Sequence, residues 1–154
     1  MTEFIDSKGN HWALILTLGS AKKILDRTGV DLLNPTSLIK INDDESIGED
    51  SVILRLLTDD LFIGDIIYNL IEKQAQDRGL TKDDVFDMLD GETTKKAYDA
   101  FTKEYRNFFM ARGNVQGVKM IDLLIQGIQA LAEESNGEKS SSSQDVQESK
   151  TSEN

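Results

Sequence analysis

The order of hydrophobic and polar positions predicts a β-hairpin over residues 2–16. Trp12, Leu14 and Leu16 share one face of an extended segment, which is the alternation typical of a strand. The polar stretch Ser7–Asn10 before it supplies turn chemistry. A two-stranded hairpin is marginal in water by itself, so we expect it to lie on helices or to pair with another chain.

Beyond Thr17 the apolar positions recur every three to four residues, which is the period of an α-helix. Glycines, capping residues and the single proline divide this pattern into separate helices. The predicted helices are Leu18–Gly29, a short one that opens at Pro35, Ser51–Leu57, Asp59–Gly79, Thr81–Gly91, about Glu92–Arg112, and Val115 to about Ala132. A polar connector, "NDDESIGED", precedes Ser51, which we expect to cap its helix.

The two longest helices carry apolar stripes at helical spacing. Stripes of this period usually face the core of a domain, and we expect the same here. The expected core residues are Ile63, Ile67, Leu70, Tyr98, Phe101 and Tyr105.

These elements predict a mainly α fold with a small N-terminal β-hairpin, formed as a compact single helical domain over residues 1–134. Residues 135–154 contain one valine, no other apolar residue and many serines. A segment that cannot bury apolar surface does not offset the entropy of ordering, so it is predicted to be a disordered acidic tail.

The stretch "DRGLTKDDVFDML", residues 77–89, has the form of a helix-turn-helix corner, with Thr81 capping the second helix. Charge changes that picture, because the chain carries a formal net charge of -11. DNA-binding proteins gain affinity by neutralising phosphates with Lys and Arg side chains. Here Asp83 and Asp84 would lie in the first turn of the recognition helix, where they would repel the phosphates. The motif is therefore interpreted as a corner between helices, and no nucleic-acid partner is expected.

Candidate chemistry is sparse. The chain has no cysteine and a single histidine, His11, at a strand start, and no phosphate loop, nucleophile elbow or zinc-protease motif occurs. The acidic run "DDESIGEDSVIL" fails as a calcium loop, because Ile47 and Leu54 stand where oxygen ligands are required. We expect no catalytic residue, no metal and no cofactor. The N-terminus has no apolar signal region, and no apolar run is long enough to span a membrane.

Two segments are candidates for partner binding. Phe108 and Phe109 are adjacent, so they point about 100° apart on a helix and do not both sit centrally on one stripe. The final helix follows a Gly113-Asn114 break and is strongly one-sided, which suits either docking on the domain or offering a face to a partner helix. The predicted partner-binding residues are Phe108, Phe109, Val118, Ile121, Leu124, Ile125 and Ile128.

The order of these segments resembles the tail assembly chaperones of long-tailed bacteriophages. The similarity covers about Phe4 to Phe109: the hairpin "FIDSKGNHWALILT", the segment "AKKILDRTGVDLLN", the helix "LTDDLFIGDIIYNLIEKQAQDRGLT" and "DDVFDMLDGETTKKAYDAFTKEYRNFF". Two features depart from the family pattern. Met110-Ala111-Arg112 continues the helix where a proline-containing end is usual, and the Ser-rich acidic tail has no counterpart.

The resemblance implies a binding protein and not an enzyme. Proteins of this family bind the tape measure protein, a long helical chain with apolar stripes, and keep it soluble in the host bacterial cytoplasm until tail tube subunits assemble around it. They are then absent from the mature virion. In many such phages a frameshifted longer form recruits the tail tube protein. Two other functions stay open: a phage structural or head-tail joining protein, and a small helical transcriptional regulator. The oligomeric state is not predicted.

Overall fold

A computed structural model describes residues 2–127 as a helical domain with one small antiparallel hairpin, which confirms the predicted fold class. The strands are β1 (Thr2–Ile5) and β2 (His11–Leu14), and the helices are α1 (Leu18–Thr28), α2 (Val52–Thr58), α3 (Asp60–Asp77), α4 (Lys82–Met88), α5 (Gly91–Arg112) and α6 (115–127), with a 3-10 turn at Pro35–Leu38 between α1 and α2. The predicted end of the last helix near Ala132 and the predicted tail lie outside the described residues.

Asp6 fixes the turn of the hairpin. Its buried carboxylate accepts hydrogen bonds from the backbone N–H groups of Lys8 and Asn10, both at 2.9 Å, and from Trp12 Nε1 at 2.9 Å. The turn thus begins one residue earlier than predicted, because Asp6 serves as an acceptor for the loop and not as a strand residue. The second strand also ends early, at Leu14, although Leu16 is buried as its alternation predicts.

The hairpin packs on helices of the same chain, which is one of the two arrangements expected from the sequence. β1 and β2 both pack on α5, and β2 also packs on α3. The Gln74 side chain of α3 completes the free edge of β2: Ala13 N–H donates to Gln74 Oε1 at 3.0 Å, and Gln74 Nε2 donates to the Ala13 carbonyl at 2.7 Å. A glutamine amide here replaces the backbone of a missing third strand.

The core lies between the hairpin, α3 and α5. Five of the six predicted core residues are buried and Tyr98 is half-buried. The ring of Tyr105 packs between Phe101 and Phe109, and its buried hydroxyl donates to the Leu32 carbonyl, tying α5 to the loop after α1.

Several helix ends match the sequence signals and two differ. Gly29 and Gly113 adopt left-handed backbone at the ends of α1 and α5, and Thr81 caps α4 in a reciprocal hydrogen-bonding pair with Asp84. The helix of Thr81 stops at Met88 and not at Gly91, which is instead the first residue of α5. Ser51 precedes α2 but does not cap it, because its hydroxyl bonds the backbone N–H and carbonyl of Lys40.

Helix α6 folds back on α5 at very short range. A Cβ atom at Gly117 would lie 2.6 Å from the buried ring of Phe109, so only glycine permits this approach. Arg106 of α5 adds an ion pair to Asp122 at 2.7 Å. The final helix therefore docks on the domain over the described residues.

A candidate apolar groove between α2, α3 and α5

An open groove of about 440 Å³ lies where α2, the start of α3, the α4–α5 corner and α5 meet. Its apolar lining is Leu56, Leu57, Ile63, Leu89 and Tyr98, and its polar lining is Asp60, Thr94 and Lys95 beside Gly91. Leu56 and Ile63 form a buried floor, whereas Leu57 and Leu89 are only partly buried. A concave apolar surface of this size with a few polar groups is typical of a binding site.

Side-chain caps fix where the two helices beside the groove begin. Asp59 caps α3 by accepting from Phe62 N–H at 3.1 Å, and Asp90 caps α5 by accepting from Thr93 N–H at 2.8 Å. Both helices therefore begin beside the groove, and their first turns carry the polar residues that line it. The Thr94 hydroxyl donates to the Leu89 carbonyl at 3.0 Å, which links the first turns of α5 to the residue that follows α4.

Tyr98 brings a buried hydroxyl group to the lining of the groove. Its hydroxyl oxygen is buried and has no hydrogen-bond partner among residues 2–127. Burial raises the pKa of the Tyr98 phenol, so the group stays protonated and keeps a proton to donate at neutral pH. A buried polar atom without a partner costs stability, and a ligand carbonyl that reached it would remove that cost.

The predicted partner-binding residues do not form one exposed surface. Phe109, Ile121 and Leu124 are buried in the core, the two residues of α6 being only 2% exposed each. Phe108, Val118 and Ile125 are half-buried against the same core. Ile128 lies outside the described residues. Over the described residues, Ile121 and Leu124 pack in the core, because α6 docks on α5.

The single histidine and the acidic residues of the α3–α4 corner lie on the surface. His11 is exposed, with Nδ1 3.7 Å from Glu3 Oε2 across the hairpin. The corner between α3 and α4 packs through Val85 and Met88, and Asp83 and Asp84 are exposed in the first turn of α4. An acidic outer face of this kind repels phosphate and agrees with the interpretation as a structural corner.

Within residues 2–127, no group of three or more His, Cys, Asp or Glu residues is arranged to hold a metal ion. None of the helices in that range is long and apolar enough to cross a membrane.

The groove was missed by sequence reasoning because its lining is distributed over 43 positions of the chain, from Leu56 to Tyr98. The helical spacing of Tyr98 predicts a core position, and nothing in that spacing indicates that its hydroxyl has no hydrogen-bond partner among residues 2–127. The weak signal available was the short apolar helix α2, whose partly buried Leu57 follows the buried Leu56. No protein-family model, curated protein or solved structure matches the chain.

Proposed function

We propose that this protein is a tail assembly chaperone of a long-tailed bacteriophage, which binds and solubilises the tape measure protein through the groove between α2, α3 and α5. The observation that carries the proposal is the groove itself, with a floor of Leu56 and Ile63 and partly buried walls. An amphipathic helix lays its apolar face into such a groove. The tape measure protein, a long helical chain with apolar stripes, would offer such a face.

The charge of the chain supports the same role. A net charge of -11 keeps a protein soluble while it covers apolar segments of another chain, and it disfavours nucleic acid as a competing partner. The resemblance over about Phe4 to Phe109 is the second support, because it names a client class that the groove suits. Under this proposal the protein acts in the host cytoplasm and leaves before the virion is complete.

The test is co-expression with the tape measure protein encoded in the same phage genome. We expect the client to be insoluble alone and soluble with this chain, and the two to co-purify. A client that stays insoluble in its presence, or is equally soluble without it, would contradict the proposal.

A groove variant and a matched surface variant make the experiment specific. Leu57→Glu places a charge on the groove wall, and Leu18→Glu places the same charge on α1 at a leucine that is 66% exposed and lies outside the groove. We expect the first variant to lose the client and the second to keep it, with both still folded by circular dichroism.

A further inference from the structure

We propose that the outer edge of β1 is a second binding surface, where an extended acidic segment of a partner chain adds to the hairpin as a third strand. This surface is formed by β1 and α5, and it shares no lining residue with the groove between α2, α3 and α5. The inference therefore does not rest on the proposed function, and either of the two can fail while the other holds.

The register of the hairpin determines which backbone groups of β1 point outward. Glu3 is paired with Ala13, and the Ala13 N–H and carbonyl point away from β1, because they bond the Gln74 side chain. In an antiparallel ladder both members of such a pair turn their backbone groups away from each other, and the same holds two residues further along. The N–H and carbonyl groups of Glu3 and Ile5 therefore point to the outer edge of β1.

The two edges of the hairpin differ in how these outward groups are satisfied. On the β2 edge, α3 and the residue after it supply side chains that bond the backbone groups of Ala13 and the carbonyl of His11. On the β1 edge, the backbone groups of Glu3 and Ile5 have no hydrogen-bond partner among residues 2–127. An open edge of this kind is a template for the backbone of another extended chain.

A cleft of about 410 Å³ lies beside the open edge. Its lining is Thr2, Glu3, Phe4 and Ile5 of β1 and Lys96, Asp99, Ala100 and Lys103 of α5. Helix α5 thus extends beyond the edge of β1 and underlies the position of an added strand, about 4.8 Å from β1. The small side chain of Ala100 leaves room there for an apolar side chain of that strand.

The lysines of the cleft determine the charge of a segment that fits. Lys96 and Lys103 are exposed and seven residues apart, so they lie on one face of α5, about 10.5 Å apart along its axis. Alternate residues of a strand face the same side, so two glutamates that flank an apolar residue at i and i+4 lie about 13 Å apart. An apolar residue over Ala100 would then bring the glutamates within reach of both lysines. Glu92 already pairs with Lys96 at 3.0 Å, so we expect Lys103 to contribute more.

The acidic residues of the cleft lining are themselves offset by other groups. Asp99 lies 3.7 Å from Lys95, which belongs to the lining of the separate groove. The Glu3 carboxylate is 3.7 Å from His11 Nδ1, on the face of the hairpin opposite to Phe4. Neither carboxylate removes the preference of the cleft for an acidic segment.

A second copy of the chain does not fit the same edge. Helix α5 packs beneath β1 more extensively than beneath β2. Pairing of β1 with β1 of a second copy would therefore place two α5 helices beneath strands that are about 4.8 Å apart. Packed helices need about 8–10 Å between their axes. A single extended segment avoids this clash, because it brings no helix with it.

The test uses the full-length protein and a synthetic peptide, acetyl-Thr-Glu-Val-Leu-Thr-Glu-Thr-amide, which carries Leu and both Glu on one face of a strand. We expect saturable binding in a titration followed by NMR. The same peptide with Lys in place of both Glu should bind at least about tenfold more weakly, since it brings like charges to the cleft. Equal affinity of the two peptides would contradict an acidic partner.

Two N-methylated versions of the peptide test the backbone pairing. One carries methyl groups on the nitrogens of Leu and both Glu, and the other carries them on the nitrogens of Val and the Thr residues. A strand presents only alternate N–H groups to one neighbour, so one version should bind and the other should bind at least about tenfold more weakly. Loss of binding in both versions or in neither would contradict the addition of a strand.

A charge variant of the protein has a matched control. Lys103→Glu should weaken binding of the acidic peptide at least about threefold, whereas Lys119→Glu, at an exposed lysine of α6 outside the cleft, should not. Leu57→Glu, on the wall of the separate groove, should also leave peptide binding unchanged, so failure of the proposed function is distinguishable from failure of this proposal. Equal weakening by Lys103→Glu and Lys119→Glu would overturn the proposal.

Amide hydrogen exchange reports on the edge itself. In the free protein the N–H groups of Glu3 and Ile5 should exchange much faster than that of Phe4, which faces β2, and they should slow at least about tenfold with bound peptide. Exchange that is unchanged at saturating peptide would place the peptide elsewhere and overturn the proposal. Slow exchange of Glu3 and Ile5 in the free protein, together with dimers in sedimentation, would assign the edge to a second copy and also overturn it.

Discussion

Two glycines of α6 lie against side chains at different distances, and this difference predicts opposite effects of the same substitution. Gly117→Ala would put a methyl group 2.6 Å from the buried ring of Phe109, which has little room to move beside Tyr105. We expect a loss of about 1–3 kcal/mol in the free energy of unfolding. Gly127→Ala makes only an ordinary contact with Leu57 and should be neutral or stabilising by up to about 1 kcal/mol. Urea unfolding of the two variants checks both signs, and an equal effect would contradict the close approach of α6 to α5.

The contribution of Asp6 to the stability of the hairpin is expected to depend on pH. Burial raises the pKa of its carboxyl, but the hydrogen bonds donated by Trp12, Asn10 and Lys8 outweigh burial and lower the pKa to about 2. Since the unfolded value is about 3.9, the unfolded chain takes up the proton first. The contribution of Asp6 is complete above about pH 4 and is lost as the pH falls towards 2.

Asp6→Asn should therefore be less stable than the natural protein at pH 7 by about 1–2 kcal/mol and should lose less stability between pH 5 and 2. Fluorescence of Trp12, the only tryptophan, reports unfolding beside the substituted residue. Parallel pH profiles for the two proteins would show that the Asp6 hydrogen bonds do not favour its ionised form.

At the scale of elements, adjacent leucines of α6 distinguish core from surface. Leu124 is 2% exposed and Leu123 is 56% exposed. Leu124→Asp would bury an unpaired carboxylate and should cost several kcal/mol, enough to unfold a domain of ordinary stability. Leu123→Asp should change stability by less than about 1 kcal/mol. A circular dichroism melt of each variant is sufficient, and a folded Leu124→Asp protein would return α6 to the candidate partner surfaces.

Local signals along the chain predicted the elements well. The period-2 alternation around Trp12, the capping threonine at position 81 and the terminal glycines at 29 and 113 each act within a few residues, so they are readable without the fold. Boundaries differed where a side chain had a better partner elsewhere. Ser51 is the example, because its hydroxyl bonds Lys40, eleven residues away, in place of its own helix.

The packing of elements against each other was less accessible to sequence reasoning. The pattern of α6 showed that one face is apolar, but not what covers it, and that depends on the close contact between Gly117 and Phe109. The groove is a similar case, since it exists only after α2 and α5 have both packed on α3. Its candidate residues could not be separated from core residues by spacing alone, because both kinds lie on apolar faces.

At the scale of the whole molecule, the net charge of -11 predicts the response to nucleic acid. The purified protein should show no salt-sensitive binding to duplex DNA, because phosphate-driven association needs clustered Lys and Arg. A mobility-shift titration at low and moderate salt checks this. Micromolar binding that weakens steeply with salt would favour the transcriptional regulator over the chaperone.

The central claim is that the groove between α2, α3 and α5 binds a helix of the client, and Gly91→Phe tests it most directly. Gly91 lines the groove, and a Cβ atom there meets no other atom within 4 Å, so the first carbon of a larger side chain has room and we expect a phenylalanine ring to fill part of the groove. Gly19→Phe is the matched control, because Gly19 lies at the start of α1, outside the groove, and a Cβ atom there also has room.

The measurement is the dissociation constant of each variant for the tape measure protein, or for a soluble helical segment of it, with folding checked by melting temperature. We expect Gly91→Phe to weaken binding at least about tenfold, equivalent to 1.4 kcal/mol, and Gly19→Phe to bind as the natural protein does. Equal affinity of the two folded variants would contradict the account, since a client that still binds beside a blocked groove must use another surface.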